Sequence, residues 1–340
     1  NVHVPRGEFW IQHRNMFLIK EIASAAHIYG KPVVDAEAFT TWRRWEDPPF
    51  VLKLSADRAF AEGLNRLTIH GFAHSPESAG LPGRTYHAGI DVNPNTTWWP
   101  YARPFMDYLA RCSWMLQQGL PVADVLWYYG DHAPNFFPAY HDVPEKPRLP
   151  GLGRGYDYDV VNTDVFLNRI AVKDGRLVLP EGTSYRVLAF AEGTSMPLEV
   201  MEKVESLVKA GAVVVGSPPR AVPGLFDHAA RSARMREITA RVWGGGDDKG
   251  GPRRYGLGKA YGGEVTLDEV LKTEGVLPDF MPTDGAGSSE LDFIHRTAGD
   301  QEIYFVRNPV VRPMSVRARF RVQGKTPEIW DPATGEVSPC

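Results

Sequence analysis

The sequence predicts an α/β protein: part of a (β/α)8 TIM barrel, then a doubly wound α/β domain, then the start of a β-sandwich. Three observations carry this. Helix-like stretches alternate with short apolar runs through residues 1–145. Two buried-type strand runs flank a well-capped helix within residues 150–285. From residue 286 onward the apolar period becomes two, as in half-buried strands.

The elements follow in order. Phe17 to Tyr29 reads as a helix that stops at Gly30, and Lys31-Pro-Val-Val-Asp-Ala-Glu-Ala-Phe-Thr follows as a strand ending near Glu37. Helix-like Ser55–Asn65 leads into Arg66-Leu-Thr-Ile-His-Gly-Phe-Ala-His, which delivers His70 and His74. Helix-like Tyr101–Gln118 leads into Val122-Ala-Asp-Val-Leu-Trp-Tyr-Tyr, which delivers Tyr129 and Asp131. In barrels of this kind the C-terminal strand ends carry the chemistry. Three strand–helix steps are visible where a closed barrel has eight, so the others are expected before Asn1. Without an initial Met, the chain reads as part of a longer protein, and an open part-barrel predicts poor solubility in isolation.

A Pro/Gly stretch, Pro144 to Gly155, marks a boundary. Beyond it, Arg186-Val-Leu-Ala-Phe-Ala and Ala212-Val-Val-Val-Gly read as parallel strands around a Pro197–Lys209 helix with Pro in its first turn. Gly244–Gly251 reads as a surface loop. Gln301–Arg307 and Ser315–Val322 alternate polar and apolar residues, and Asp331-Pro-Ala-Thr-Gly-Glu reads as a turn between strands.

Composition narrows the function. Of 340 residues, 43% are apolar and 23% charged, as in ordinary globular proteins. A net charge of −3 speaks against a nucleic-acid partner, which needs a basic stripe. No window approaches the roughly 18 apolar residues of a membrane-spanning helix. Two cysteines, Cys112 and Cys340, preclude a Cys-rich metal site.

Polar groups at successive strand ends, set among many aromatics, suggest an enzyme acting on a polar ring-shaped substrate. Glu37 and Glu8 are the candidate catalytic carboxylates, since glycoside hydrolysis uses two carboxyl groups. The competing reading pairs Glu37 with an arginine and makes Glu8 a helix cap. His70 and His74 suit hydrogen bonding to sugar hydroxyls better than zinc, for which no third ligand is spaced. The loop Asp91-Val-Asn-Pro-Asn-Thr-Thr-Trp-Trp offers Asn95, Trp98 and Trp99 for stacking and hydrogen bonding to a sugar. Either Trp could instead anchor the following helix in the core. Asp57, Arg58 and Glu62 are expected on a solvated helix face.

The stretch Lys20 to Thr40 resembles the surroundings of an active-site glutamate in glycoside hydrolase family 106, the α-L-rhamnosidases. The resemblance continues through Ala61–Pro76, Asn93–Trp99, Tyr108–Gly119, Gly175–Leu188 and Ile329–Glu336. It implies a catalytic barrel, an amidotransferase-like domain without chemistry of its own, and β-sandwich domains. It further implies inverting hydrolysis of a terminal α-L-rhamnoside in an oligosaccharide or glycoside, with a calcium ion near the sugar. Glu37 then matches the general base and Glu8 a substrate or calcium contact, roles that could be exchanged. Asp131 joins His70, His74, Asn95, Trp98 and Trp99 as a substrate contact. The general acid is expected before Asn1.

Two other functions fit the same residues: a glycosidase for another sugar, such as a β-galactoside, or a glycan-binding protein without turnover. An active amidotransferase-like domain is disfavoured. Residues 155–280 hold no cysteine, and Ser195 lacks the Gly-x-Ser-x-Gly turn of a nucleophile.

Overall fold

The computed structural model describes residues 2–11, 16–131, 149–191, 193–194, 196–219, 222–244, 251–284 and 291–340. Ser195, most of the Gly244–Gly251 loop and the first part of the Pro144–Gly155 boundary lie outside them.

The N-terminal part is a three-stranded parallel sheet, β1 (Arg6–Trp10), β2 (Asp35–Thr40) and β3 (Arg66–Ile69), ordered β1-β2-β3. Helix α1 (Phe17–Ile28) connects the first pair and α2 (Pro49–Ala61) the second. Helix α2 starts six residues earlier than the sequence pattern suggested, with Pro49 at a first-turn position, where its missing N–H costs nothing. Helix α3 (Arg103–Leu116) lies on α2.

One core joins Phe9, Ile19, Ala23, Ala36, Ala38, Phe60 and Leu109. Small residues let the helices approach. At Gly63, with φ +109°, a Cβ would fall 2.6 Å from the Ala23 Cβ. Asp57, Arg58 and Glu62 are 6%, 8% and 1% exposed, so the expected solvated face is instead buried. The cause is crowding: α2 packs against the sheet, α3 and a C-terminal hairpin together. Asp57 is satisfied there by the Tyr108 hydroxyl at 2.5 Å and Lys53 at 2.6 Å.

Asp35 ties the start of this sheet together. Its carboxylate, 1% exposed, accepts from Arg6 Nε at 2.9 Å, Arg66 Nη2 at 3.2 Å and Thr68 Oγ1 at 3.1 Å.

A second sheet has six strands in the order Arg253–Tyr255, Gly258–Tyr261, Val213–Val215, Val187–Ala189, Val125–Tyr128, Tyr158–Val161. All pairs are parallel except the first. The doubly wound unit therefore begins at Val125 and takes in the strand that was expected to be the third barrel strand. All four of its residues are buried, as a central parallel strand requires. Helix α1 covers the edge strand Tyr158–Val161, with Ser24 Oγ accepting from the Val160 N–H at 3.1 Å.

Charged groups cross this junction. Lys20 Nζ bonds Asp157 at 2.6 Å, His27 Nδ1 bonds Asp159 at 2.9 Å, and the Tyr185 hydroxyl donates to Asp159 at 2.9 Å. Burial alone would push the Asp159 carboxyl up. His27, Lys20 and Tyr185 outweigh it and hold the group at about 2.

The C-terminal part contains the predicted period-two strands. Asp292–Ala298 and Gln301–Arg307 form a hairpin that packs on α2 through an edge-on contact of Phe305 with Phe60. Of the run 315–322, only Ala318–Phe320 is a strand, paired with Phe280–Pro282. Glu328–Trp330 pairs with Val337–Pro339 across the predicted turn. Among the described residues no helix is long and apolar enough to cross a membrane.

Candidate active site

Register places the two candidate glutamates together. Glu8 and Glu37 are Cα partners across β1 and β2, and Glu37 is in turn partnered by Thr68 on β3. Side chains at partnered positions of parallel strands share a face, and neighbouring strands lie about 4.8 Å apart. Both carboxylates thus rise from one side of the sheet. Glu8 is exposed, while 43% of the Glu37 side chain reaches solvent.

Immediately beyond this pair the register shifts. Two steps on β1, from Glu8 to Trp10, match three on β2, from Glu37 to Thr40. The extra residue is Phe39, fully buried with φ +72°, a conformation that bulky side chains seldom adopt. Bulges of this kind re-aim side chains beside active sites. Here the bulge brings Thr40 Oγ1 within 3.1 Å of His70 Nδ1, and the same nitrogen stands 3.5 Å from Glu37 Oε1. The segment Gly89–Ile90 braces His70 from the other side, with the Ile90 N–H donating to the His70 carbonyl at 2.9 Å. Gly89, at φ +97°, allows that approach: a Cβ there would fall 2.6 Å from the His70 carbonyl oxygen.

A run of rings links the ends of β1 and β3. Trp10 meets Trp42 at 5.2 Å, Trp42 stacks on His87 at 6.0 Å, His87 meets Tyr86 at 4.2 Å, and Tyr86 meets His70 edge-on at 5.4 Å. Trp42 and Tyr86 are 62% and 55% exposed, so together with His87 they leave an apolar surface beside His70. Trp42 was not among the residues singled out from sequence; only the density of aromatics near Glu37 pointed to it.

The remaining candidates divide. His74 is exposed, and no hydrogen bond or ring contact joins it to Glu37 among the described residues. Asn95 braces its own loop: its backbone N–H donates to Asn93 Oδ1 at 2.9 Å and its side-chain amide donates to the Pro82 carbonyl at 3.3 Å. Trp98 and Trp99 are partly buried against the core beside α3, and Trp99 meets Phe72 edge-on at 6.3 Å. The anchoring reading therefore describes their contacts. Asp131 follows the strand Val125–Tyr128 and accepts from Thr163 Oγ1 at 2.5 Å. It belongs to the six-stranded sheet, not to the sheet that carries Glu37, because the expected third barrel strand pairs elsewhere.

The implied calcium ion can be weighed against the donors present. Glu8 and Glu37 supply hard carboxylate oxygens, which suit calcium, but that ion takes about six to eight oxygens. Among the described residues no group of three or more His, Cys, Asp or Glu side chains converges. These donors alone do not fit the ion.

With this geometry in hand, comparison with known proteins is decisive on family. The model of the α-L-rhamnosidase family Glyco_hydro_106 matches residues 1–340. The chain belongs to glycoside hydrolase family 106. A Formosa agariphila protein, provisionally named a beta-glucuronidase, is 36% identical over 97% of this family 106 chain and 26% of its own length. The solved rhamnosidase from Novosphingobium sp. PP1Y superposes with a TM-score of 0.87 at 33% identity, over 99% of this chain and 32% of that one. The chain thus spans about a quarter to a third of the length of these relatives. A GH42 beta-galactosidase, Gan42B, shares the mixed α/β fold with a TM-score of 0.56 at 12% identity, over 98% of this chain and 57% of that one. The chain is accordingly a segment of a glycoside hydrolase family 106 protein.

Proposed function

We propose that this chain carries the water-activating half of an inverting, exo-acting glycosidase site for terminal α-L-rhamnosides. The observation that supports this most is the placement of Glu37, in register with Glu8 and contacted by His70, whose ring meets Tyr86 at the end of the run of rings. Glu37 acts as general base, taking a proton from the water that attacks the anomeric carbon. Glu8 binds substrate hydroxyls on the same face. The rings give an apolar surface on which a sugar's C–H face or the leaving group can lie.

Strand spacing separates the roles. An inverting acid–base pair stands roughly 6.5–9.5 Å apart around a water, whereas Glu8 and Glu37 rise from neighbouring strands whose backbones lie about 4.8 Å apart. We assign the general acid to a third carboxyl group, distinct from Glu8 and Glu37. The rhamnoside assignment draws on the family description and the Novosphingobium structure. The name of the Formosa relative favours a second reading, in which the same machinery cleaves a glucuronide.

Proton NMR of the product formed by the full-length protein from p-nitrophenyl glycosides tests both. Initial release of the inverted anomer from the α-L-rhamnoside is expected. Inverted product from the β-glucuronide alone would keep the mechanism and replace the sugar. Retained product would make Glu8 and Glu37 the catalytic couple and contradict the proposal.

A further inference from the structure

The opposite end of the sheet, where β2 and β3 begin, borders a cavity of about 70 Å³ lined by His27, Lys31, Asn65, Glu181, Thr183 and Arg296, among others. One water needs roughly 10–15 Å³ on the same measure, so there is room for a group of several heavy atoms. The charge around this space is unbalanced.

Arg296 is 3% exposed. Its Nε and Nη2 donate to the carbonyls of Gln118 at 2.7 Å and Gly119 at 2.8 Å, and no carboxylate pairs with it among the described residues. Burial pushes its guanidinium down to about 10, against a smaller pull from Asp159. Such a buried, unpaired cation is costly. His27, 7% exposed, spends Nδ1 on Asp159, and its Nε2 is buried without a partner among the described residues. Because the Asp159 carboxylate accepts at Nδ1, a second proton on the ring makes Nε2 a donor. The acid on the lining, Glu181, is already engaged by Arg169 at 2.5 Å. Lys31, half-buried, forms no salt bridge among the described residues.

We propose that this cavity binds a small tetrahedral oxyanion of sulfate or phosphate size, held by Arg296 and His27 with Lys31 beside them. Water would satisfy Nε2 but would leave the buried guanidinium without a counter-charge. A planar fork with spare N–H donors suits oxyanions. The site lies at the far end of the strands from Glu37, and its occupant joins α1 to the strand Asp292–Ala298.

The test is calorimetric titration of sodium sulfate into the full-length protein at about pH 6, with ionic strength held by sodium chloride. Sulfate keeps its charge across this range, so its own titration does not intrude. Expected are one saturable site and a rise in melting temperature with sulfate. Arg296→Gln should weaken that site by at least about tenfold, since charge-assisted bonds to the anion are lost. Lys31→Gln should weaken it a few-fold with the ligand-free melting temperature unchanged. No saturable binding by the folded protein, or the same affinity in both variants, overturns the proposal. Should Arg296→Gln fail to fold, Lys31→Gln decides alone: weaker binding supports the site and unaltered binding overturns it.

Discussion

His70 Nδ1 stands 3.5 Å from Glu37 Oε1 and 3.1 Å from Thr40 Oγ1, so the imidazole is held between the candidate base and the residue that follows the bulge. Glu37 and Thr40 belong to one strand, His70 to the end of the next. The candidate base is thus met by a side chain that only the β2–β3 pairing and the Phe39 bulge bring to it.

If this contact positions Glu37, then Thr40→Val, which keeps shape and removes the hydroxyl, should lower kcat about tenfold or less, the worth of one hydrogen bond. The melting temperature should stay within a few degrees. Steady-state rates and a thermal scan on the same preparation check both.

Gly89 gives an independent route to the same group. Substituting Ala adds a Cβ that meets the His70 carbonyl, at a φ that L-residues rarely adopt. Gly89→Ala should therefore lower kcat more than Thr40→Val does, and cost about 1–3 kcal/mol of stability. Denaturant unfolding beside kinetics separates the two effects.

Trp42 tests the run of rings. It touches Trp10 and His87 but neither glutamate among the described residues, and most of it faces solvent. Trp42→Ala should raise KM by about tenfold, near the upper end of the roughly 0.5–1.5 kcal/mol that a ring contact adds beyond its buried area, and leave kcat nearly unchanged. A fall in kcat at constant KM would show that Trp42 acts on the catalytic groups and not on substrate.

The junction between α1 and the strand Tyr158–Val161 should be acid-sensitive. Asp159 is held at about 2 in the folded chain, below the roughly 3.9 of an unfolded aspartate. Its stabilising contribution is complete above about pH 4 and is lost as pH falls toward 2. The loss is roughly 2 kcal/mol. Asp159→Asn should flatten that part of the stability–pH curve measured by urea unfolding.

Local signals in the chain reached the α1–β2–α2–β3 alternation and the helix stop at Gly30, and singled out Glu8 and Glu37 as candidates; the strand Arg6–Trp10 that carries Glu8 was not legible. Each of these signals rests on neighbours in sequence. What they did not reach was pairing. Val125–Tyr128 looks the same whether it closes a barrel or opens a doubly wound sheet, since parallel strands are apolar on both faces in either. Its partners Val187–Ala189 and Tyr158–Val161 decide, and Asp131 moves with them. Charged Asp57, Arg58 and Glu62 resembled a solvated face because the hairpin that covers α2 lies more than 230 residues further along the chain. Trp42 and His87 meet through a stacking contact that spans two loops, with no spacing rule to reveal it.

The central claim is that Glu37 performs the proton transfer of glycoside hydrolysis, and its most direct test is p-nitrophenol release from the α-L-rhamnoside by full-length protein carrying Glu37→Gln. The account predicts a fall in kcat of about 10²- to 10⁴-fold, the usual worth of a general acid or base, at an unchanged melting temperature. A folded Glu37→Gln variant that turns over at the wild-type rate would contradict it.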